Sequence, residues 1–313
     1  MITAVDRAIE IGASAMQVFS DNPTAWKRRA LPPMELPEFR ARLGAADIAP
    51  VATHASYLVN LAGPDPDFFE RSVGLLIAGL HGAPSFGARF VNVHIGSHRG
   101  EGVRAGIERV ADGVARTFAA VDALPPLDPP LLGAPPVLDT PPMLVLENSA
   151  GGGWGVGVDL DELAGIADAI DRRGVAEDRV GFCLDTAHAW GAGIDLASPD
   201  AIDAFLEQFD ARIGGRRLVL VHLNDSKVDL GSRLDRHEHL GAGRIGPVGL
   251  GHLLRHPSLR HATYLLETPG MDEGYDAVNL ARARALAAGE PLEPLPPEAF
   301  ELVGSARART APA

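Results

Sequence analysis

A parallel α/β barrel of the (β/α)8 TIM type, with its first strand missing from the N-terminus, is the fold class this chain predicts. Three observations carry the expectation. Seven short apolar runs rich in branched residues recur along the sequence. They are unbroken rather than alternating, as strands buried on both faces of a parallel sheet are. Helix-like stretches separate them, with about 35 to 50 residues for each βα unit and its loop.

In chain order, Met1 opens directly into the helical pattern AVDRAIEIGA, with no strand ahead of it. The runs AMQVF (15–19), PVAT (50–53), RFVNV (89–93), MLVLE (143–147), VGFCL (180–184), LVLV (218–221) and TYLLE (263–267) read as strands. Helical patterns cover 66–86, 104–121, 159–173, 199–213 and 275–288. Seven strands are one short of an eight-stranded barrel. The expectation is a first strand encoded upstream of Met1, in preference to a seven-stranded open variant. Residues 122–142 hold eight prolines and cannot continue a helix, so they read as a passive surface insertion. No shift of charge or composition divides the chain, which gives one domain over 1–290. The Pro-, Ala- and Arg-rich segment 291–313 is expected to fray.

Composition bounds the function. At 313 residues with 46% hydrophobic side chains the chain can bury a sizeable core. It contains no apolar run of membrane-spanning length, and its opening lacks the basic-then-apolar order of a signal peptide. The expected location is the cytoplasm, with nucleoid-associated work if the source is bacterial. A single cysteine, Cys183, excludes an internal disulfide and a thiolate cage, so any metal must rest on His, Asp and Glu. A net charge of −13 argues against a nonspecific nucleic-acid coat, though a local metal-charged surface would still attract phosphate.

The chemistry lies at the strand ends. Every predicted strand except the first ends in or next to a polar residue: His54, His94, Glu147, Asp185 with His188 three residues on, His222 and Glu267. In a parallel barrel all strand C-termini open on one face, so these residues converge on one mouth. Taken singly, a His after a strand is usually a hydrogen-bonded structural residue, and an Asp or Glu there often caps the next helix. Six such endings resist that reading, because buried carboxylates need partners and imidazoles with carboxylates form the usual metal set. Asp235 and His237 alternate in an extended stretch and project the same way, although DRH alone fits a salt-bridged turn. Cys183, inside a strand, reads as an inert core thiol.

The strings THASYLVNLAGP (53–64), VNVHIGSH (91–98), LVLENSAGGG (144–153), CLDTAHAWGAGID (183–195), HLNDSK (222–227) and SRLDRHEHLGAGRIG (232–246) resemble the endonuclease IV family, in order, from about residue 1 to Glu267. That resemblance implies a TIM-barrel, trinuclear zinc phosphodiesterase that cuts damaged double-stranded DNA 5′ to abasic sites in base-excision repair. It assigns one Zn²⁺ to His54, His94 and Glu147, a second to Glu147, Asp185, His222 and Glu267, and a third to His188, Asp235 and His237, with Mn²⁺ an alternative at one position. Three Zn²⁺ against four carboxylates leave a formal charge of about +2, a pocket for phosphate within an acidic protein. Such a cluster supports metal-assisted in-line hydrolysis, with Glu147 and Glu267 as the catalytic carboxylates and Glu267 also orienting or deprotonating the attacking water.

For DNA contact, the resemblance places Tyr57 and Leu58 at wedge positions and Asn22, Trp26 and Lys27 in a penetrating loop. Thr24 and Ala25 depart from the family there; Lys27, Arg28 and Arg29 offer phosphate contacts in compensation, or a solvated basic loop. Lys227 and the glycine loop 241–246 are candidate phosphate contacts through side chain and backbone amides. The runner-up reading is a sugar isomerase or epimerase on the same barrel, which would leave His188, Asp235 and His237 without a metal. A third is a catalytically silent DNA-damage binder. No obligate protein partner is evident and a monomer is expected.

Overall fold

The computed structural model describes residues 1–28, 33–127 and 140–302. Arg29, most of the proline-rich insertion and the last part of the tail, 303–313, lie outside them. Seven parallel strands form one sheet: β1 (Met16–Phe19), β2 (Val51–His54), β3 (Ala88–His94), β4 (Met143–Glu147), β5 (Val180–Asp185), β6 (Leu218–His222) and β9 (Thr263–Leu265), in that spatial order. All seven predicted strands are present. The helices are α1 (Ile2–Glu10), α2 (Leu36–Ala45), α3 (Pro66–Gly82), α4 (Val103–Ala123), α5 (Leu160–Asp171), α6 (Thr186–Ala192), α7 (Pro199–Arg212), α8 (Gly246–Arg255) and α9 (Tyr275–Ala288). A two-stranded antiparallel hairpin, β7 (Asp225–Ser226) with β8 (His237–Glu238), interrupts the alternation after β6.

The sheet curls into a nearly closed TIM-type barrel whose edges are β1 and β9. Side chains bridge those edges. Arg7 of α1 pairs with Asp276 of α9 at 2.6 Å, Arg284 donates to the Gly12 carbonyl, and Gln17 of β1 donates to Glu267 at 2.9 Å. The main core lies between sheet and helices, with Phe39, Leu76, Leu146, Ile166 and Phe209 fully buried. A second apolar cluster, including Ala52, Phe90, Met143, Val145, Cys183 and Leu220, fills the barrel interior and floors the mouth.

Local chemistry sets the helix starts. Asp65 accepts from the Phe68 amide ahead of Pro66, and Asp159 accepts from the Glu162 amide while Glu162 reaches back to Gly157 and Val158. Both arrangements satisfy amides that lack intrahelical partners. The expected fraying from Pro291 is corrected for 291–302. Ala299 is buried with its carbonyl 2.9 Å from His239 Nε2, Leu292 packs on the core, and Arg282 donates to the Glu293 carbonyl at 2.6 Å. These buried contacts hold a segment whose composition alone reads as loose.

A candidate metal centre at the barrel mouth

Strand register brings the polar endings together. His94 stands opposite Glu147, Asp185 opposite His222, and His54 opposite Asn92. Glu147 is the hub: its carboxylate lies 3.5 Å from His54 Nε2, 3.6 Å from His94 Nε2, 3.4 Å from His222 Nδ1 and 3.3 Å from His188 Nδ1. Glu267, two residues beyond β9, reaches His222 Nδ1 at 3.3 Å. Asp185 caps α6 by accepting from the His188 amide at 2.7 Å and faces His237 Nε2 at 3.6 Å. Asp235 bridges His188 and His237 at 3.3 and 3.0 Å. All nine strand-end and hairpin residues singled out in the sequence thus meet in one cluster.

Three groupings in it have the spacing of metal ligands: His54, His94 and Glu147; Glu147, Asp185, His222 and Glu267; and Asp185, His188 and His237. In the third, Asp185 joins the two imidazoles and Asp235 spans them from the solvent side, an arrangement the sequence does not separate from a shared carboxylate.

The imidazoles are oriented for coordination. One ring nitrogen of each of four histidines rests on an oxygen outside the cluster: His54 Nδ1 on the Ala55 carbonyl (2.7 Å), His188 Nδ1 on the Asn148 carbonyl (3.0 Å), His237 Nδ1 on the Glu267 carbonyl (2.8 Å) and His222 Nε2 on Gln17 Oε1 (3.2 Å). A carbonyl only accepts, so that nitrogen carries the proton and the other presents its lone pair. His222 Nδ1, His237 Nε2 and Glu147 Oε1 are buried and make no hydrogen bond. Unsatisfied polar atoms converging on one point are costly unless a cation meets them. The donor set fits Zn²⁺.

Carboxylates and imidazoles in the cluster hold one another in their charged forms. Burial alone would raise the Glu147 carboxyl, but the facing His222 and His94 imidazoles hold it well below the usual carboxylate range. Burial works against charge on His237, and Asp185 and Asp235 reverse this, lifting it to about 9. Burial likewise opposes charge on Glu267, and His222 overcomes it, holding the carboxyl down to about 2. Burial pushes the Cys183 thiol up to about 11, and the side chain sits in the barrel floor.

Several residues that belong to no ligand pattern complete the site. Asn92 Nδ2 holds Glu147 at 2.5 Å, Asn224 Nδ2 holds Asp185 at 2.8 Å while its Oδ1 accepts from the Glu267 amide, and Gln17 ties His222 to Glu267. Their signal in the sequence is a single amide inside or beside an apolar run: AMQVF, VNVH and LND. Loss of Gln17 frees both the His222 tautomer and Glu267. Gln17→Ala is accordingly expected to weaken zinc binding by about 10- to 100-fold, read by chelator competition; unchanged affinity would leave Gln17 a packing residue.

The rim separates the other candidates. Tyr57 is 54% exposed, with its ring 5.3 Å from Phe19 and 5.8 Å from His94, and Leu58 beside it is half-buried. Asn22 closes a turn by accepting from Thr24, and Lys27 is exposed. Trp26 is turned back onto α3, edge-on to Phe68 at 4.8 Å with Arg71 over its ring, so it anchors the loop to the helix. Lys227 is exposed, 4.0 Å from Glu238. The glycine loop requires a correction: the amides of Gly243, Ile245 and Gly246 donate to the buried Asp225 carboxylate and that of Arg244 to the Ser226 carbonyl, so they are not available to a phosphate. Trp154, 59% exposed in the loop after β4, joins Tyr57, Leu234 and Met271 on mouth loops and Phe19 at the end of β1 as exposed large apolar side chains.

The chain matches the xylose isomerase-like TIM-barrel family over residues 5–288. A protein described as a probable endonuclease 4 from Methanoculleus marisnigri is 42% identical over 91% of this chain and 94% of its own length. The crystal structure of endonuclease IV from Thermus thermophilus is 37% identical, with a TM-score of 0.74 over 92% of this chain and 94% of that one. A D-tagatose 3-epimerase-like protein superposes with a TM-score of 0.61 over 88% of this chain and 90% of its own at 14% identity, a likeness of fold alone. No described helix is long and apolar enough to cross a membrane.

Proposed function

Since this chain belongs to the endonuclease 4 group of the xylose isomerase-like TIM-barrel family, we propose that it is a zinc-dependent endonuclease acting in base-excision repair. It hydrolyses the DNA phosphodiester 5′ to an abasic site and leaves a 3′-hydroxyl. The observation that carries the metal dependence is the set of four imidazoles, each with one nitrogen fixed by an outer oxygen and the other facing a carboxylate of the cluster, which for His188 is Asp235.

His54, His94 and Glu147 would hold one Zn²⁺, Glu147, Asp185, His222 and Glu267 a second, and His188, Asp235 and His237 a third, with Asp185 in reach of the last. Zinc held by these residues would supply acidification of water and neutralisation of charge on phosphate oxygens. The chain supplies the proton handling and the positioning. Glu147 and Asp185 side chains are fully buried, whereas Glu267 is 32% exposed and braced by Gln17, so Glu267 is the inner carboxylate that an attacking water can reach. Exposed Lys27, Arg28, Arg99, Lys227, Arg233 and Arg236 lie on the mouth loops of a chain that is acidic as a whole, a local surface for backbone phosphates.

Tyr57 stands between the metal cluster and the rim, where an apolar side chain can fill the stack vacated by an extruded abasic sugar. Tyr57→Ala is expected to weaken binding of an abasic duplex by about 10-fold while changing intact-duplex binding little. An equal loss on both would remove its role as a wedge.

The direct test offers the purified chain a duplex with one tetrahydrofuran abasic analogue beside its intact counterpart. One cut, immediately 5′ of the analogue, with the intact duplex left whole, is the expected result. Comparable cutting of both, or none by a folded and zinc-loaded sample, contradicts the proposal.

A further inference from the structure

Away from the mouth, the outer helical layer carries a second convergence of ligating side chains. His252 and His256 are four residues apart on and just beyond α8, so they project from one face. Asp203 lies in the first turns of α7, the neighbouring helix. Both imidazole Nε2 atoms approach the same Asp203 oxygen, at 2.5 Å from His252 and 3.3 Å from His256, and the two rings are 5.7 Å apart. The three donors lie close enough together to share one ion. None of them belongs to the mouth cluster.

We propose that Asp203, His252 and His256 form a separate divalent-metal site of the zinc class, a clip joining α7 to α8. Two imidazoles and one carboxylate are a borderline-soft set that suits Zn²⁺ and leaves an outer position for water. Ligand atoms around a tetrahedral zinc stand roughly 3.3 Å apart, given bonds of about 2.0 Å. The His256–Asp203 spacing already meets this. The His252 contact must open by less than about 1 Å, which the 54%-exposed Asp203 side chain allows by rotation.

The backbones are held rigidly. A Cβ at Gly249 would overlap the Leu196 carbonyl oxygen and fall 2.9 Å from Ala197 Cα, so α8 packs as closely as a glycine permits on the segment that leads into α7. The helices therefore present the three side chains at a fixed separation before any ion arrives, which lowers the ordering cost of binding. One contact opposes the site. His256 Nδ1 accepts from the Ser258 amide at 3.3 Å, and coordination through Nε2 moves the ring proton to Nδ1 and gives up that long, exposed bond. The charge-assisted pairing of Asp203 with two imidazoles is the form the site takes without an ion.

The test compares the full chain with the double variant His252→Gln, His256→Gln, which alters partly exposed side chains only. Zn²⁺ alone is the probe. After loading and desalting, the wild type is expected to carry one more zinc per chain than the variant. Saturating zinc should raise the wild-type Tm by roughly 5 °C beyond the rise in the variant. Both should melt together in chelator, which shows that the variant folds. Equal zinc content, or an equal Tm rise in the two, overturns the proposal. Because this comparison does not read DNA cleavage, failure of the mouth assignment leaves it interpretable.

Discussion

Replacing Glu147 with glutamine is expected to abolish cleavage of an abasic duplex, with a fall of at least about 10³-fold, and to strip the mouth of most of its metal. The carboxylate faces four imidazoles within 3.6 Å and is shared by two of the ligand groupings. An amide offers one neutral oxygen where the site needs a charge, and its NH₂ would donate to imidazole lone pairs that otherwise face a cation. Metal content by elemental analysis and cleavage by gel, on the same sample, check the two halves of the expectation. A variant that keeps its metal and cuts at near the parent rate would show that Glu147 does not organise the centre.

Glu267→Gln should behave differently. Glu267 contacts one imidazole, is braced by Gln17 and is open to solvent on one side. The second grouping retains Glu147, Asp185 and His222 without it. Most of the metal is therefore expected to stay, while turnover falls by about 10²- to 10⁴-fold through loss of the group that takes the proton from the attacking water. Binding of the abasic duplex should change little, so the loss appears in kcat rather than in Kd. Near-full activity would remove Glu267 from proton transfer, and metal loss as complete as in Glu147→Gln would make it a ligand first.

The contrast between these two glutamates is invisible in the sequence, where both are the acidic end of an apolar run. Burial and the number of imidazoles each one faces separate them. The set of strand-end residues is legible, because a charged or imidazole side chain closing a run buried on both faces needs a partner that the run itself does not supply. The hairpin pair Asp235 and His237 is legible as a projection to one side. Its target is not, because His237 is aimed by the Glu267 carbonyl, thirty residues away.

The supporting amides Gln17, Asn92 and Asn224 escape a reading of the sequence because each is a single residue whose role depends on a partner across the barrel. The glycine loop misleads for a related reason. Its amides read as a phosphate cradle until Asp225, some twenty residues upstream in sequence, is seen to occupy them. Helix α6 escapes because it is only seven residues long and buried from Thr186 to Gly191, so it shows no amphipathic period, although its Asp185 N-cap and left-handed Gly193 are ordinary end signals. The fold's likeness to sugar epimerases follows from the shared barrel, and function rests on the residues at the mouth rather than on the barrel itself.

If one carboxylate–imidazole cluster holds the metal on which DNA cleavage depends, activity and metal content must be lost together. Graded chelation of a single preparation, with metal content and the rate of cutting 5′ to a tetrahydrofuran site measured on each aliquot, reads both at once. Cleavage is expected to fall in step with loss of the tightly held metal and to return on addition of Zn²⁺. Cleavage that persists in a folded, metal-stripped sample would refute the metal dependence outright.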